Sequence, residues 1–197
     1  DWVLRTACKE AATWRKLIAD EVHVGVNLSS VQFLQGDLFN KVENALAESG
    51  LPARLLDLEL TESILVANPE ETINTLKRLK DMGAYVSIDD FGTGYSSLSY
   101  LRSFPFDKVK IDQSFVRDLN VEGNNAHAVI RAITTLASAL GMRTLAEGVE
   151  YAEQREILRR EGCEYIQGFL LSRPVPASDV AALINCRDVG GLIRAVG

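Results

Sequence analysis

The sequence predicts an α/β fold, a (β/α)8 barrel of the TIM type with about six of its eight strands in this chain. Three observations predict it. Strand-type and helix-type segments alternate six times, which implies a parallel sheet under helical cover. Within each strand segment one alternating set of residues is apolar and suited to face helices. The other set ends in a polar residue at the C-terminal end of the strand: Asn27, Glu59, Asp89, Lys110, Glu147 and Gln167. An open doubly wound sheet concentrates its site at a switch point, whereas a barrel collects residues from the end of every strand. Six polar groups delivered to one end favour the barrel.

The elements follow in order. Val3, Ala7, Ala11, Trp14 and Ile18 recur at a helical period over residues 1–19. VHVGVN, from Val22 to Asn27, alternates as a strand does. Leu38, Val42 and Leu46 mark a helix that ends at Gly50. LLDLEL at 55–60 is the second strand. Asn68-Pro69-Glu70-Glu71 reads as a helix start: a cap, a proline at the first position, then acids facing the helix dipole. Ile73, Leu76 and Leu79 continue that helix to Gly83. AYVSID at 84–89 is the third strand, followed by a glycine-rich turn from Phe91 to Ser97. KVKID at 108–112 is the fourth. A long helix spans about 125–140 and closes at Gly141, before strand RTLAE at 143–147. A helix near 152–161, Gly162, strand EYIQG at 164–168 and a helix near 178–185 complete the pattern. Pro105, Pro174 and Pro176 punctuate loops. The apolar sets expected to face the helices are Val22, Val24 and Val26; Leu56, Leu58 and Leu60; Ala84, Val86 and Ile88; and Val109 with Ile111.

Length bounds the reading. A complete barrel of this type has about 250 residues, and this chain has 197, beginning Asp1-Trp2-Val3 without methionine. About two strands are therefore expected to precede Asp1 in a longer parent polypeptide. The composition is that of a globular protein, 47% hydrophobic and 24% charged, with ample material for a core. The net charge of -6 provides no basic field to recruit DNA, RNA or anionic lipid. A phosphate-bearing ligand needs local cations or metal ions here. No apolar run approaches the ~20 residues of a spanning helix. Cys8, Cys163 and Cys186 are odd in number and lack metal-type spacing, which suits reduced thiols in the cytoplasm.

Asn27, Glu59, Asp89, Asp90 and Glu147 are all oxygen-ligand types. Four carboxylates at one mouth repel each other unless cations intervene. Hard divalent ions such as Mg²⁺ or Mn²⁺ suit them, and there is no His or Cys set for zinc. The adjacent pair Asp89-Asp90 can serve two metals. Two metals about 4 Å apart form a clamp for in-line phosphoester displacement. Lys110 adds a point charge for a water or a phosphoryl oxygen, and Glu147 is either a ligand or a general base. Taken singly, each residue has a plainer reading. Asn27 and Gln167 suit caps or turns, Glu59 and Lys110 suit paired charges, and Asp89-Asp90 before Phe-Gly-Thr-Gly suits a turn. His23 and His127 read as structural. The constellation on one face is what favours a site.

NLS at 27–29, ELTES at 59–63, DDFGTGYSSLSYL at 89–101, KID at 110–112, AEGVE at 146–150 and QGFLLSRP at 167–174 resemble the EAL domain family of bacterial cyclic di-GMP phosphodiesterases. Order and spacing match over residues 1–185. The resemblance implies a modified TIM barrel whose first strand is antiparallel. It implies Mg²⁺- or Mn²⁺-dependent hydrolysis of cyclic di-GMP to linear pGpG, with two metals per site and inhibition by Ca²⁺. Asn27, Glu59, Asp89 and Asp90 match the family's metal ligands, and Lys110 matches the lysine at the catalytic water. Glu147 matches a glutamate assigned either as ligand or as base. Glu62 matches the anchor of the loop that follows the Asp pair, a loop that couples dimerisation to metal binding. Gln167 matches a residue near substrate and water. Phe169 suits stacking on guanine, and Asp112 joins the substrate-binding set.

The name-giving Glu-x-Leu segment, with its metal-ligating glutamate and nearby arginine, is not among these residues. The isolated chain is therefore expected to be weak or inactive, and the parent protein active. The expected organisation is an EAL-type domain over 1–185 lacking its first two strands, and a tail over 186–197. The parent is expected to dimerise, to carry regulatory or sensory domains, and to be cytoplasmic with tethering to the inner membrane open. The rivals to the enzyme are a non-catalytic cyclic di-GMP receptor and an interaction module; degenerate receptors of that kind lose the Asp pair or the loop, and both are kept here.

Overall fold

A computed structural model describes residues 1–18, 21–34, 36–62, 64, 69–94, 98–121 and 123–185. Asn68, Ser63, the end of the turn at 95–97, Cys186 and the tail 186–197 lie outside the described residues. The strands are β1 (Val24–Leu28), β2 (Leu56–Thr61), β3 (Tyr85–Phe91), β4 (Lys108–Ile111), β5 (Arg143–Ala146) and β6 (Tyr165–Ile166). They form one parallel sheet in sequential order, β1 to β6, curled into part of a barrel. The helices are α1 (Trp2–Trp14), α2 (Ser30–Leu34), α3 (Leu38–Ser49), α4 (Pro69–Asp81), α5 (Leu98–Ser103), α6 (Gln113–Arg117), α7 (Ala126–Ala139), α8 (Ala152–Arg160) and α9 (Ala177–Asn185). No described helix is long and apolar enough to cross a membrane.

Local chemistry sets the helix limits. Gly50 ends α3 in the left-handed conformation, φ 69°, and donates its N–H to Leu46 O. In α4, Glu70 and Glu71 occupy the first turn and Arg78 and Lys80 the last, complementing the helix dipole. The stripe of α1 differs from expectation. Val3 is exposed, and the buried face is Leu4, Cys8 and Ala11. The stripe is rotated by one residue because Cys8 packs as a small apolar group. Ile18 is buried beyond the helix, which ends at Trp14. The first strand likewise starts at Val24 rather than Val22, and the third at Tyr85 rather than Ala84.

Alternation divides the sheet into two faces. Val24, Val26, Leu56, Leu58, Leu60, Val86, Ile88, Val109 and Ile111 are buried against the helices, as anticipated. Each fully buried Leu or Ile contributes about 1.5–3 kcal/mol of transfer free energy. The opposite face carries Gly25 and Asn27 from β1, Asp57 and Glu59 from β2, Ser87 and Asp89 from β3, and Lys108 and Lys110 from β4. A polar set on the concave face is the arrangement that puts side chains inside a barrel. At the helical shell, α1 meets α9: Trp14 Nε1 donates to Ala177 O at 3.0 Å, and Asn185 Nδ2 donates to Leu17 O at 3.0 Å.

Cys8 and Cys163 are free and buried, and burial pushes both thiols up to about 11. The thiolate is the reactive form. In a Cys186→Ser variant at pH 8, neither thiol should react with an aromatic disulfide reagent until urea unfolds the protein; rapid native labelling would contradict this packing.

Candidate metal centre

The mouth is built from the C-terminal ends of the strands. Asn27 and Glu59 are register partners on β1 and β2, Asn27 exposed and Glu59 buried. A Cβ on Gly25 would lie 2.5 Å from Glu59 Oε1, so this glycine leaves room for the carboxylate. Asp89 is buried near the end of β3. Glu147 directly follows β5 and donates its N–H to Ile111 O; Gln167 directly follows β6 and donates its N–H to Ala146 O. Both residues thereby extend the sheet's pattern past the last strand residues.

Adjacent strand residues normally point to opposite faces, yet Asp89 and Asp90 both reach the mouth. The cause is an extra residue in β3. Ile88 pairs with Val109 but Phe91 pairs with Ile111, so three steps on β3 oppose two on β4. Such a bulge re-aims side chains. Asp90 takes φ 53°, alone among described residues other than glycine. Aspartate tolerates this region at a cost of about 1–2 kcal/mol. Asp90 N–H donates to Asp89 Oδ1, and Thr93 Oγ1 donates to Asp90 O.

Lys110 occupies the centre. Its Nζ lies 2.6 Å from Glu59 Oε2, 2.7 Å from Glu147 Oε1 and 3.0 Å from Asp89 Oδ1, with only 3% of the side chain exposed. Burial disfavours charge on Lys110, but Glu59 and Glu147 outweigh it and hold its pKa above the ordinary value. The acids behave differently. Burial is the largest influence on Glu59 and on Glu147 and raises both, with Lys110 pulling each back only in part. The asymmetry is physical: one cation divided among three anions leaves each anion undercompensated. Asp90 is raised by burial, then by Asp89 and Asp112.

Asp89, Asp90 and Glu147 each present an oxygen, and these oxygens lie within 4.8 Å of one another. Four carboxylates face one ammonium, leaving formal negative charge at the mouth. This all-oxygen, undercompensated set fits a hard divalent cation. Glu59 is drawn inward to Lys110 and stands outside the three-acid group; Asn27 stands beside it on β1.

The remaining predicted residues flank this centre. Asp112 caps α6, accepting from Ser114 N at 3.0 Å, and is a like-charge neighbour of Asp90. Phe169 is half exposed, and the Arg173 guanidinium covers one ring face at 4.6 Å. Gly168 holds Gln167 in place: a Cβ there would lie 2.3 Å from Val149 N, and Val149 N–H donates to Gln167 O. The buried Glu62 carboxylate has no hydrogen-bond partner among the described residues. It lies against Gly94, whose Cβ would be 3.0 Å from Glu62 Cδ. Two surface clefts of about 500 and 630 Å³ lie among the helices, and neither is lined by a residue of the mouth.

Sequence reasoning missed a second polar layer. Asp57, Ser87 and Lys108 lie two residues before Glu59, Asp89 and Lys110 on the same three strands. Lys108 pairs with Asp57, and Ser87 Oγ donates to Asp57 Oδ1 at 2.6 Å. The signal was available as polar residues at the same strand parity. Gly25 was also missed, because nothing local announces which side chain needs its space.

The EAL domain family model matches residues 1–174. The chain is 42% identical over 176 residues to the cyclic di-GMP phosphodiesterase NbdA of Pseudomonas aeruginosa, covering 89% of this chain and 22% of that protein. It is similar to the structure of the P. aeruginosa MucR phosphodiesterase in complex with c-di-GMP, at TM-score 0.87 and 41% identity, covering 91% of this chain and 72% of that one. It is also similar to the Klebsiella pneumoniae BlrP1 manganese/cyclic di-GMP complex, at TM-score 0.76 and 31% identity, covering 87% and 44%. The chain spans about a quarter or less of the curated relatives it first matches.

Two outcomes follow for the centre. Gly25→Ala should cost about 1–3 kcal/mol by overpacking and weaken Mn²⁺ binding, read by urea denaturation and calorimetric titration; unchanged Mn²⁺ binding would show that Glu59 is not held by this gap. Protons compete with metal for carboxylates, and Glu59, Asp90 and Glu147 have raised pKa values. Mn²⁺ affinity should therefore fall as pH is lowered, beginning above the pH range of ordinary carboxylates. A flat affinity down to pH 5 would contradict the shifts.

Proposed function

Because this chain belongs to the EAL domain family, we propose that its mouth serves hydrolysis of cyclic di-GMP to linear pGpG in the complete protein that carries it. The cluster of Asp89, Asp90 and Glu147 around Lys110 carries the reading. Asn27, Glu59, Asp89, Asp90 and Glu147 would hold two divalent cations, Mg²⁺ or Mn²⁺. Bound there, the cations supply Lewis acidity and charge neutralisation for phosphodiester cleavage.

The chain's own residues divide the remaining work. Lys110 keeps its proton in this acidic surrounding and acts as a donor, at Nζ, to the attacking water or a phosphoryl oxygen. Glu147 Oε1 is placed to orient that donor, as ligand or as proton acceptor. Gln167, fixed through Gly168, orients substrate. Phe169 offers its uncovered ring face to a guanine, and Asp112 sits on the substrate side of Asp90. Glu62 anchors the loop from Phe91 to Ser97. The carrier protein is cytoplasmic, dimerises and contains regulatory or sensory domains; the length of the relatives supports such fusion.

The test is turnover. The complete protein with Mg²⁺ or Mn²⁺ should convert cyclic di-GMP to pGpG, chelator should abolish conversion, and Asp89→Asn or Lys110→Met should lower kcat by roughly 10²–10⁴-fold. Tight binding without turnover would replace this reading with a receptor, and neither binding nor turnover would leave an interaction module.

A further inference from the structure

The interior of the barrel repeats one motif in two layers. In the upper layer an acid on β2, a polar residue on β3 and a lysine on β4 are Glu59, Asp89 and Lys110. In the lower layer they are Asp57, Ser87 and Lys108. Parallel barrels stack side chains from alternate strands in such layers. Here β2 and β4 supply one acid and one lysine to each. The lower layer is neutral and closed. The Asp57 side chain is 4% exposed, Lys108 occupies its Oδ2, and Ser87 Oγ occupies its Oδ1. The upper layer lies at the mouth end of the strands and carries excess negative charge on side chains that are themselves largely buried.

A buried carboxylate left without its cation is costly, and the cost is relieved by taking up a proton or by drawing in a cation within reach. Asp57 and Glu59 are two residues apart on one face, about 6–7 Å along the strand. That distance lies within the sweep of a lysine's four-carbon stem. Lys110 is the lysine next to Lys108 on this face of β4. Arg143, the register partner of Lys108, donates to Tyr165 Oη, and burial lowers the pKa of His23, the histidine near Asp57, and so disfavours charge on it.

We propose that Lys108 is a positioning residue for the mouth: by satisfying Asp57 inside the barrel, it reserves Lys110 for Glu59, Asp89 and Glu147. The proposal deepens the phosphodiesterase reading and rests on it for its kinetic consequence, but its structural consequence stands alone. With Lys108 absent, Lys110 turns inward to Asp57 and the mouth loses its only buried ammonium among the described residues.

Crystal structures and steady-state kinetics of the complete protein test this. In Lys108→Met, Lys110 Nζ should leave Glu147 for Asp57. The kcat for cyclic di-GMP should fall on the order of 100-fold, with little change in KM. In Asp57→Asn/Lys108→Met, which removes both charges, Lys110 and kcat should return to wild type. Lys110 unmoved in the single variant, or Arg143 taking its place at Asp57, overturns the proposal. If Lys108→Met fails to fold, the double variant decides: wild-type placement of Lys110 with wild-type kcat supports the proposal, and loss of either overturns it. If the wild-type protein does not hydrolyse cyclic di-GMP, the functional reading fails, while the position of Lys110 still decides the inference.

Discussion

Lys110 Nζ lies within 3.0 Å of three carboxylates, those of Glu59 on β2, Asp89 on β3 and Glu147 just after β5. The rest of the mouth depends on this ammonium. Without it, Glu59, Asp89 and Glu147 would face each other across a nearly dry interior. Removing one partner of a buried ion pair costs about 3–5 kcal/mol, a sizeable part of the about 5–15 kcal/mol that keeps a domain folded. The lysine therefore holds the strand ends together, yet it cannot neutralise the acids it gathers. That residual negative charge suits the site to divalent cations. Stability and function meet at one atom: the same nitrogen makes the acidic mouth tolerable and leaves it hungry for metal.

Backbone irregularity supplies what side-chain chemistry alone does not. The bulge in β3 and the left-handed Asp90 place two consecutive aspartates at one centre. Gly25 opens the space into which Glu59 leans, and Gly168 brings the loop after β6 against Val149. The bulge, Asp90 and Gly168 depart from regular strand geometry, Gly25 departs only in lacking a side chain, and each lies at or beside the mouth. A chain that follows local rules through its helices and strands breaks them where charge must be concentrated.

Much of this was legible in the residues. Alternation is a strong signal where one face is apolar, and Leu56, Leu58 and Leu60 by themselves assign the opposite face of β2 to polar residues. The same parity placed Glu59, Asp89 and Lys110 together. Other features were hidden for identifiable reasons. The α1 stripe fell on Leu4 and Cys8 because Cys8 packs as a small apolar group, which a count of the usual aliphatic residues passes over. Asp112 was read for substrate, but its position before Gln113 also makes it the cap of α6, a short helix with little periodicity to announce it. The bulge depends on pairing between β3 and β4, which no single segment records. Asp57 and Lys108 were passed over because each reads as an ordinary charge; only the register makes them a pair inside the barrel.

Diffraction from crystals of the complete protein soaked in Mn²⁺, with data collected at the manganese absorption edge, tests the central claim most directly. The account predicts anomalous density at the mouth, about 2 Å from oxygens of Asp89, Asp90 and Glu147, with Asn27 and Glu59 completing the ligands that this chain supplies and Lys110 still charged beside them. Manganese absent from the mouth at saturating concentration, or bound only at surface acids away from β3 and β5, would contradict it.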